Sequence, residues 1–426
     1  MKRGVSHRLR LLRQAASASV RRVYGAYRLG RVSVRNLGKE NIRDLRGRCL
    51  VSYVPWFIGF VRQHPDVGKN GWDPGSLAPK LENLASEFHP HSMYWESAEL
   101  VRQLIDRGYI VDCIYGRDGS LVEDISAYDV LVDEWDNLPR WASQNPVSRR
   151  LYYATGCHWI YHNKAELARH EWLFQRRGVV AATARQVPPI LSPAAANIVS
   201  YFGNSATRAT YGSFSEKLRK LWVSAVERPS SLGPRDWRRA QDSYVWYGGG
   251  GWIHKGLDLV VEAFLKEPRL RLRILGGDLR GDADFWRIYG KAIEEAGNIT
   301  YHGFIHPGSP EFREVSETTC AVVYPSAAEG CSGAVVQCMH FGLIPLVTEV
   351  TGLSIHDAWA PLDGSSDKDL IESIRARCHE VRKMPPVEAE EWRQFFWDYS
   401  GQHHTREAYS QSLSLVLDEL LQQGER

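Results

Sequence analysis

From residue 49 onward, short apolar runs rich in aromatic and β-branched residues alternate with longer stretches whose apolar positions recur every three or four residues. Residues 49–57, 110–115, 128–132 and 151–155 have the length and composition of buried strands. Residues 94–107 and 164–177 between and after them have helical spacing. A second series of apolar runs starts at 243 and continues at 270, 298, 320 and 343, most of them followed by a turn and a helical stretch. Residues 227–242, rich in Pro, Ser and charge, read as the linker between the two series. Strands alternating with crossover helices predict parallel sheets. The expected architecture is α/β, with two doubly wound Rossmann-like domains, 49–230 and 231–400, facing a central cleft. Residues 401–426 form a last helix, with Leu413, Val416, Leu417, Leu420 and Leu421 on one face. Such a face needs a buried partner, so the helix is expected to pack back across the domains.

Charge changes the picture at the N-terminus. The chain has 426 residues, 24% charged and 43% hydrophobic, which excludes a disordered chain and a many-span membrane protein. The net charge of +3 hides a division. Residues 1–48 contain 14 basic and two acidic side chains, or +12, so the remainder carries −9. Within this arm Val5, Leu9, Leu12, Ala16, Val20, Val23 and Tyr27 lie along one helical stripe, with arginines filling much of the rest. An amphipathic, Arg-rich helix suits an anionic lipid surface, where each nearby basic residue contributes about 1 kcal/mol. A solvated tail and an organelle transit peptide are the competing readings of the same arm. Nucleic acid is not an expected partner, because no recognition module follows. No run approaches the length of a spanning helix and no secretory signal is present, so the expected location is cytoplasmic and peripheral, on the inner face of the plasma membrane. Seven scattered cysteines, none in a C-x-x-C pair, fit reduced thiols and no zinc cluster.

Ligands of open parallel sheets bind outside the carboxyl ends of the strands, so the loops after the second-series strands are where chemistry is expected. The first such loop reads Gly248-Gly249-Gly250-Gly251-Trp252-Ile253-His254-Lys255-Gly256. Glycines allow close backbone approach, and their amides with the Lys255 cation can hold a phosphate. A Walker loop is disfavoured because Gly256, not Ser or Thr, follows Lys255; a dinucleotide fingerprint is disfavoured by Ile253. A later loop, Glu329-Gly330-Cys331-Ser332-Gly333, follows a strand and leads into a helix ending near Gly342. Its carboxylate can accept hydrogen bonds from sugar hydroxyls, and the helix start favours an anion.

Taken together, His254-Lys255-Gly256-Leu257-Asp258, the Glu329–Gly333 loop and Gly342-Leu343-Ile344-Pro345 resemble the retaining family-4 glycosyltransferases of the GT-B fold. The segment Tyr152-Tyr153-Ala154-Thr155-Gly156-Cys157-His158 extends the resemblance to the histidine that such enzymes carry after a first-domain strand. The resemblance implies transfer of a sugar from a nucleotide-sugar donor to an acceptor hydroxyl with retention at the anomeric carbon, on a lipid-linked or polysaccharide glycan. It implies catalytic roles for His158, Lys255 and Glu329. Gly249, Gly250, Gly251 and Lys255 would meet the phosphates, Gly330, Cys331, Ser332 and Gly333 the sugar and distal phosphate, and Gln337 the donor ribose. The first domain would supply the acceptor side through Trp56, His91, Tyr94, Trp95 and Arg208. No cofactor beyond the nucleotide sugar and no metal is expected, since no Asp-x-Asp constellation is present. The chain departs from the family in four places. Gly250 stands where an arginine usually pairs with the lysine, Gln337 where a second glutamate is common, Cys331-Ser332 where F-G is usual, and one extra residue separates Gly342 from Pro345. These departures motivate an alternative, a non-catalytic nucleotide-sugar-binding scaffold subunit at the membrane. Hydrolysis through Asp133, Glu134 and Asp136 is a third reading, which would need two opposed carboxylates.

Overall fold

Two parallel sheets organise the chain in a computed structural model that describes residues 34–39, 42–53 and 91–422. The first sheet contains β1 (Val34–Leu37), β2 (Gly47–Tyr53), β3 (Tyr109–Tyr115), β4 (Val130–Asp133), β5 (Arg149–Ala154), β6 (Ile198–Phe202) and β7 (Leu218–Leu221). Their order is β1-β3-β2-β4-β5-β6-β7, parallel throughout except that β1 runs antiparallel to β3. The second sheet contains β8 (Ser243–Gly248), β9 (Arg271–Gly276), β10 (Ile299–Gly303), β11 (Ala321–Tyr324) and β12 (Ile344–Val347), all parallel in the order β10-β9-β8-β11-β12. Every residue of β4, β6, β8, β11 and β12 is buried, as expected of strands covered on both faces.

Three strands lack a clear signal in the sequence pattern. β6 and β7 extend the first sheet beyond β5. β1 lies inside the segment read as a basic arm, so that boundary needs correction: residues 34–48 contribute an edge strand and the start of β2 to the first domain. Arg48 there pairs with the buried Asp112 at 2.8 Å. Residues 1–33, which carry the amphipathic stripe, lie outside the described residues. The last helix, expected over 401–426, spans Arg406–Gln422 and is preceded by another, Pro386–His403.

Helix Arg406–Gln422 packs on β5, β6, β7 and helix Met93–Asp106 of the first domain. It buries Tyr409, Leu413, Val416, Leu417 and Leu420. The Tyr409 hydroxyl lies 2.9 Å from that of Tyr153 and donates to the Glu96 carbonyl at 3.0 Å. Burying this apolar face fastens the chain's end to the domain in which the described residues begin. No helix among the described residues is long and apolar enough to cross a membrane.

In each sheet the strand order reverses, and the reversal in the second sheet falls between the neighbours β8 and β11. That switch point is where the loops after two adjacent strands diverge and leave a crevice. The loops concerned are Gly249–Gly256 and Pro325–Ser332.

Candidate functional site

The two loops are laced together by backbone and side-chain hydrogen bonds. Ala327 N donates to the His254 carbonyl at 2.8 Å, and His254 Nε2 donates to the Ala328 carbonyl at 2.8 Å. Gly256 caps helix Leu257–Leu265 with φ +74°, and a Cβ there would lie 2.5 Å from the Pro325 carbonyl oxygen. A side chain at 256 would therefore push the loops apart. Gly249 and Gly250 are exposed, with open space where their Cβ atoms would be. Ser332 caps helix Gly333–His340 by accepting from Val335 N, and Gly333 also faces open space.

Lys255 and Glu329 stand on opposite loops of this crevice. Lys255 is half-buried, and its side-chain ammonium has no hydrogen bond or ion pair among the described residues. Burial and the nearby Arg185 charge lower its pKa, against the opposing field of Glu329. Glu329 accepts from the hydroxyls of Tyr324 and Ser326, each at 3.2 Å. Burial works against its ionisation, but the charges of Lys255, Arg185 and His254 outweigh that and hold its carboxyl below the usual range. His91 lies in the same field; desolvation and the Lys255 charge bring its pKa down to about 4.

The first domain reaches this crevice from the carboxyl ends of β5 and β6. Cys157 Sγ donates to the Glu329 carbonyl at 2.9 Å, and Thr207 Oγ1 donates to the Gly330 carbonyl at 3.2 Å. A Cβ at Gly330 would lie 2.5 Å from the Thr155 carbonyl oxygen, so glycine is what lets the two domains touch there. His158 caps helix Trp159–Arg177, its Nδ1 accepting from Ile160 N at 3.4 Å. The half-buried ring sits edge-on to Tyr211 at 5.5 Å and stacks with Phe214 at 6.1 Å. Desolvation lowers its pKa. With Nδ1 accepting, the neutral ring carries its hydrogen on Nε2.

Helix Trp159–Arg177 belongs to the first domain but docks on the second. Arg176 pairs with Asp258 at 2.6 Å, Glu262 at 2.8 Å and Asp367 at 2.5 Å, and Arg169 donates to the Pro325 carbonyl at 2.6 Å. Glu166 on this helix has one oxygen on the Ala184 and Arg185 amides, both at 2.9 Å, and the other on His254 Nδ1 at 2.8 Å. Burial raises the pKa of its carboxyl, but hydrogen bonds from His170, His254 and the Arg185 amide more than offset this and hold it well below the usual range. The sequence reading missed both Glu166 and Arg185. Arg185 lies 70 positions before Lys255, in an irregular stretch with no motif, and only the fold brings it to the glycine loop.

Three expectations change. Gln337 is 2% exposed, and its amide is committed to the linker: Oε1 accepts from Val226 N and Glu227 N at 3.1 Å each, and Nε2 donates to the Glu227 carbonyl at 2.6 Å. With these groups engaged, the side chain holds the linker rather than presenting itself to a ribose. Trp95 is buried edge-on against Tyr409 at 5.8 Å, so it belongs to the contact with the C-terminal helix and not to an acceptor surface. Of the proposed hydrolytic trio, Asp133 is buried and accepts from Ser52, Asn137 and Ser192, while Asp136 accepts from the Leu191 and Ser192 amides. Both carboxylates serve the local structure. Glu134, just past the carboxyl end of β4, accepts from Thr155 Oγ1 at 3.5 Å, and burial and neighbouring Asp133 raise its pKa to about 8.

Arg208 is exposed, with its guanidinium 3.4 Å from the Ser215 carbonyl. Tyr94 falls in the first turn of helix Met93–Asp106. Trp56 lies outside the described residues. Cys331 is half-buried, and burial raises its thiol pKa to about 12, which leaves it protonated at neutral pH.

The sequence matches no protein-family model and none of the curated proteins. Solved structures are similar in fold. Sucrose-phosphate synthase from Thermosynechococcus elongatus aligns with a TM-score of 0.51 at 16% identity, covering 78% of this chain and 93% of that one. Anabaena HepE, solved with UDP and glucose, aligns at a TM-score of 0.49 and 12% identity over 89% of this chain and 100% of that one. Staphylococcus aureus TarM aligns at 0.46 and 13% identity; the match covers 71% of this chain and just over half, 57%, of TarM. Two doubly wound parallel domains meeting at a switch-point crevice make this a GT-B fold.

Proposed function

We propose that the chain is a retaining glycosyltransferase that moves a sugar from a nucleotide-sugar donor to a hydroxyl of a glycan or lipid-linked acceptor. The observation that carries this reading is the placing of Lys255 and Glu329 on the two loops that flank the β8–β11 switch point, beside exposed glycines at 249 and 250. Lys255 has no protein partner among the described residues and stands ready for an anion. During transfer, negative charge grows on the leaving diphosphate, and fixed cations and amides aimed at that charge lower the barrier. Lys255 and the glycine amides serve the diphosphate. Glu329, kept ionised, accepts hydrogen bonds from sugar hydroxyls, and the Gly333 helix start offers free amides to the donor. His158 donates from Nε2 toward the sugar side. Protein cations do this work without a metal ion.

The acceptor enters from the first-domain side, past His91 and Glu134. Charge in the cleft is local, because the body outside the arm is acidic, whereas residues 1–33 carry nine basic and no acidic side chains. That arm places the enzyme on an anionic membrane beside a lipid-linked acceptor.

Incubating the purified protein with a panel of nucleotide sugars and a membrane extract tests the reading. Sugar transfer with release of nucleoside diphosphate is expected, and the Lys255→Ala protein should give far less of both. The commitment of Gln337 to the linker favours one second reading, a scaffold that binds nucleotide sugar without turnover. Binding without diphosphate release would establish it.

A further inference from the structure

We infer that Arg185, a first-domain residue, is the second cation of the donor phosphate site, so that the diphosphate is held between the two domains and not by the second domain alone. This rests on the reading of the Gly248–Lys255 loop as a phosphate site.

The backbone at Arg185 is pinned on both sides. Its amide donates to Glu166 Oε1 at 2.9 Å, and its carbonyl accepts from His162 Nε2 at 2.7 Å. Two residues on, Val187 and Asn163 exchange a reciprocal pair of hydrogen bonds at 2.8 and 2.9 Å. Glu166 holds His254 with its other oxygen, so one buried carboxylate sets the spacing between the Arg185 segment and the Lys255 loop.

The side chain fits the glycine loop. Gly251 has φ +85°, and a Cβ there would fall 2.6 Å from both Cγ and Cδ of Arg185. The arginine stem thus fills the space that any other residue at 251 would need, and its head lies within electrostatic reach of Lys255, Glu329 and His91. Arginines on the preceding helix meet oxygens: Arg169 a carbonyl, Arg176 and Arg177 carboxylates. Arg185 has no hydrogen bond or ion pair for its guanidinium among the described residues. Two cations therefore face one carboxylate beside the open amides at 249 and 250. An excess of fixed positive charge is unfavourable by itself and favourable to a multiply charged anion. The guanidinium fork adds paired hydrogen bonds to phosphate oxygens that an ammonium cannot make. Lys255 is the one lysine or arginine in the loop of residues 248–256, and Arg185 supplies a second cation from the other domain.

Calorimetric titration of the full-length protein with inorganic pyrophosphate tests the assignment, in the unaltered protein and in Arg185→Gln, Arg185→Lys and Lys255→Ala. A charge-assisted hydrogen-bonding partner lost from the site predicts binding about 10- to 100-fold weaker in Arg185→Gln. Arg185→Lys should recover part of the loss. The melting temperature should not move, since the guanidinium supports no other group. Arg185→Gln binding within twofold of the unaltered protein, while Lys255→Ala loses binding, overturns the assignment and leaves the phosphate site standing. No loss in Lys255→Ala, or no pyrophosphate binding by the unaltered protein, overturns the phosphate site and Arg185 with it.

Discussion

Glu166 and His254, 88 residues apart and each almost fully buried, meet at 2.8 Å and tie a first-domain helix to the loop that carries Lys255. Removing one partner of a buried, hydrogen-bonded ionic pair leaves the other uncompensated. Glu166→Ala is expected to cost about 3 to 5 kcal/mol in denaturant unfolding. Because the folded carboxyl titrates below its unfolded value, its contribution is present above about pH 4.3 and is lost as the pH falls. Glu166→Gln should therefore flatten the acid side of the stability profile. A cost below 1 kcal/mol in Glu166→Ala would show that the tie contributes little.

Lys255→Ala should reduce transfer by about 100- to 1000-fold, the usual effect of losing one preorganised group that meets developing charge. The folded protein should be equally stable or slightly more so, since burial and the Arg185 charge disfavour the charged lysine. Steady-state rates and a thermal melt check both halves; near-normal turnover would remove Lys255 from the phosphate site.

Glu96 accepts from both the amide and the hydroxyl of Ser224 at 2.9 Å, and burial raises its pKa to about 7. Its folded value lies above the unfolded one, so the folded protein binds the proton more tightly. Stability should fall as pH rises from about 4.3 through about 7. Urea unfolding at several pH values should show this slope, and Glu96→Gln should lessen it. An unchanged slope would assign the titration to another group.

Gly330→Ala places a methyl 2.5 Å from the Thr155 carbonyl oxygen and 3.2 Å from Gly156 Cα, both backbone atoms of the opposite domain. Backbone cannot yield as a flexible side chain can, so the contact must open. Weaker nucleotide-sugar binding and a larger radius of gyration in solution scattering are expected. Unchanged affinity would mean that closure at Gly330 is not needed for donor binding.

Deleting residues 1–33 leaves β1 and Arg48 in place and removes nine basic side chains. At about 1 kcal/mol for each basic residue near an anionic surface, the truncated protein should no longer sediment with vesicles rich in anionic lipid. Transfer to a soluble acceptor should persist. Sedimentation equal to that of the full chain would locate membrane binding elsewhere.

Much of the second domain was legible because strands such as β8 and β11 are local, continuous apolar runs that end at a glycine or run into a proline. β8 and its glycine loop, β11 and the Glu329 loop all follow from spacing alone. β7 was not legible: Leu-Arg-Lys-Leu is too short and polar to stand out, and its pairing with β6 depends on a neighbour already in the sheet. β1 was hidden by the basic composition around it. Gln337 was misread because a buried amide and a ligand-binding amide look alike in sequence; only the amides at 226 and 227 distinguish them.

The sequence by itself determined the α/β alternation, the two series of strands, the linker and the two loops that bear Lys255 and Glu329. These are short-range patterns, set by which residues can be buried and which turns need glycine. Tertiary structure alone decided that Glu166 joins His254 to the Arg185 segment, that Arg185 lies over Gly251, and that Gln337 serves the linker. The contacts of Glu166 with His254, of Arg185 with Gly251 and of Gln337 with the Val226 amide span 66 to 111 positions. At such separations nothing in local spacing constrains which side chains meet; sheet order and the docking of helix Trp159–Arg177 on the second domain do.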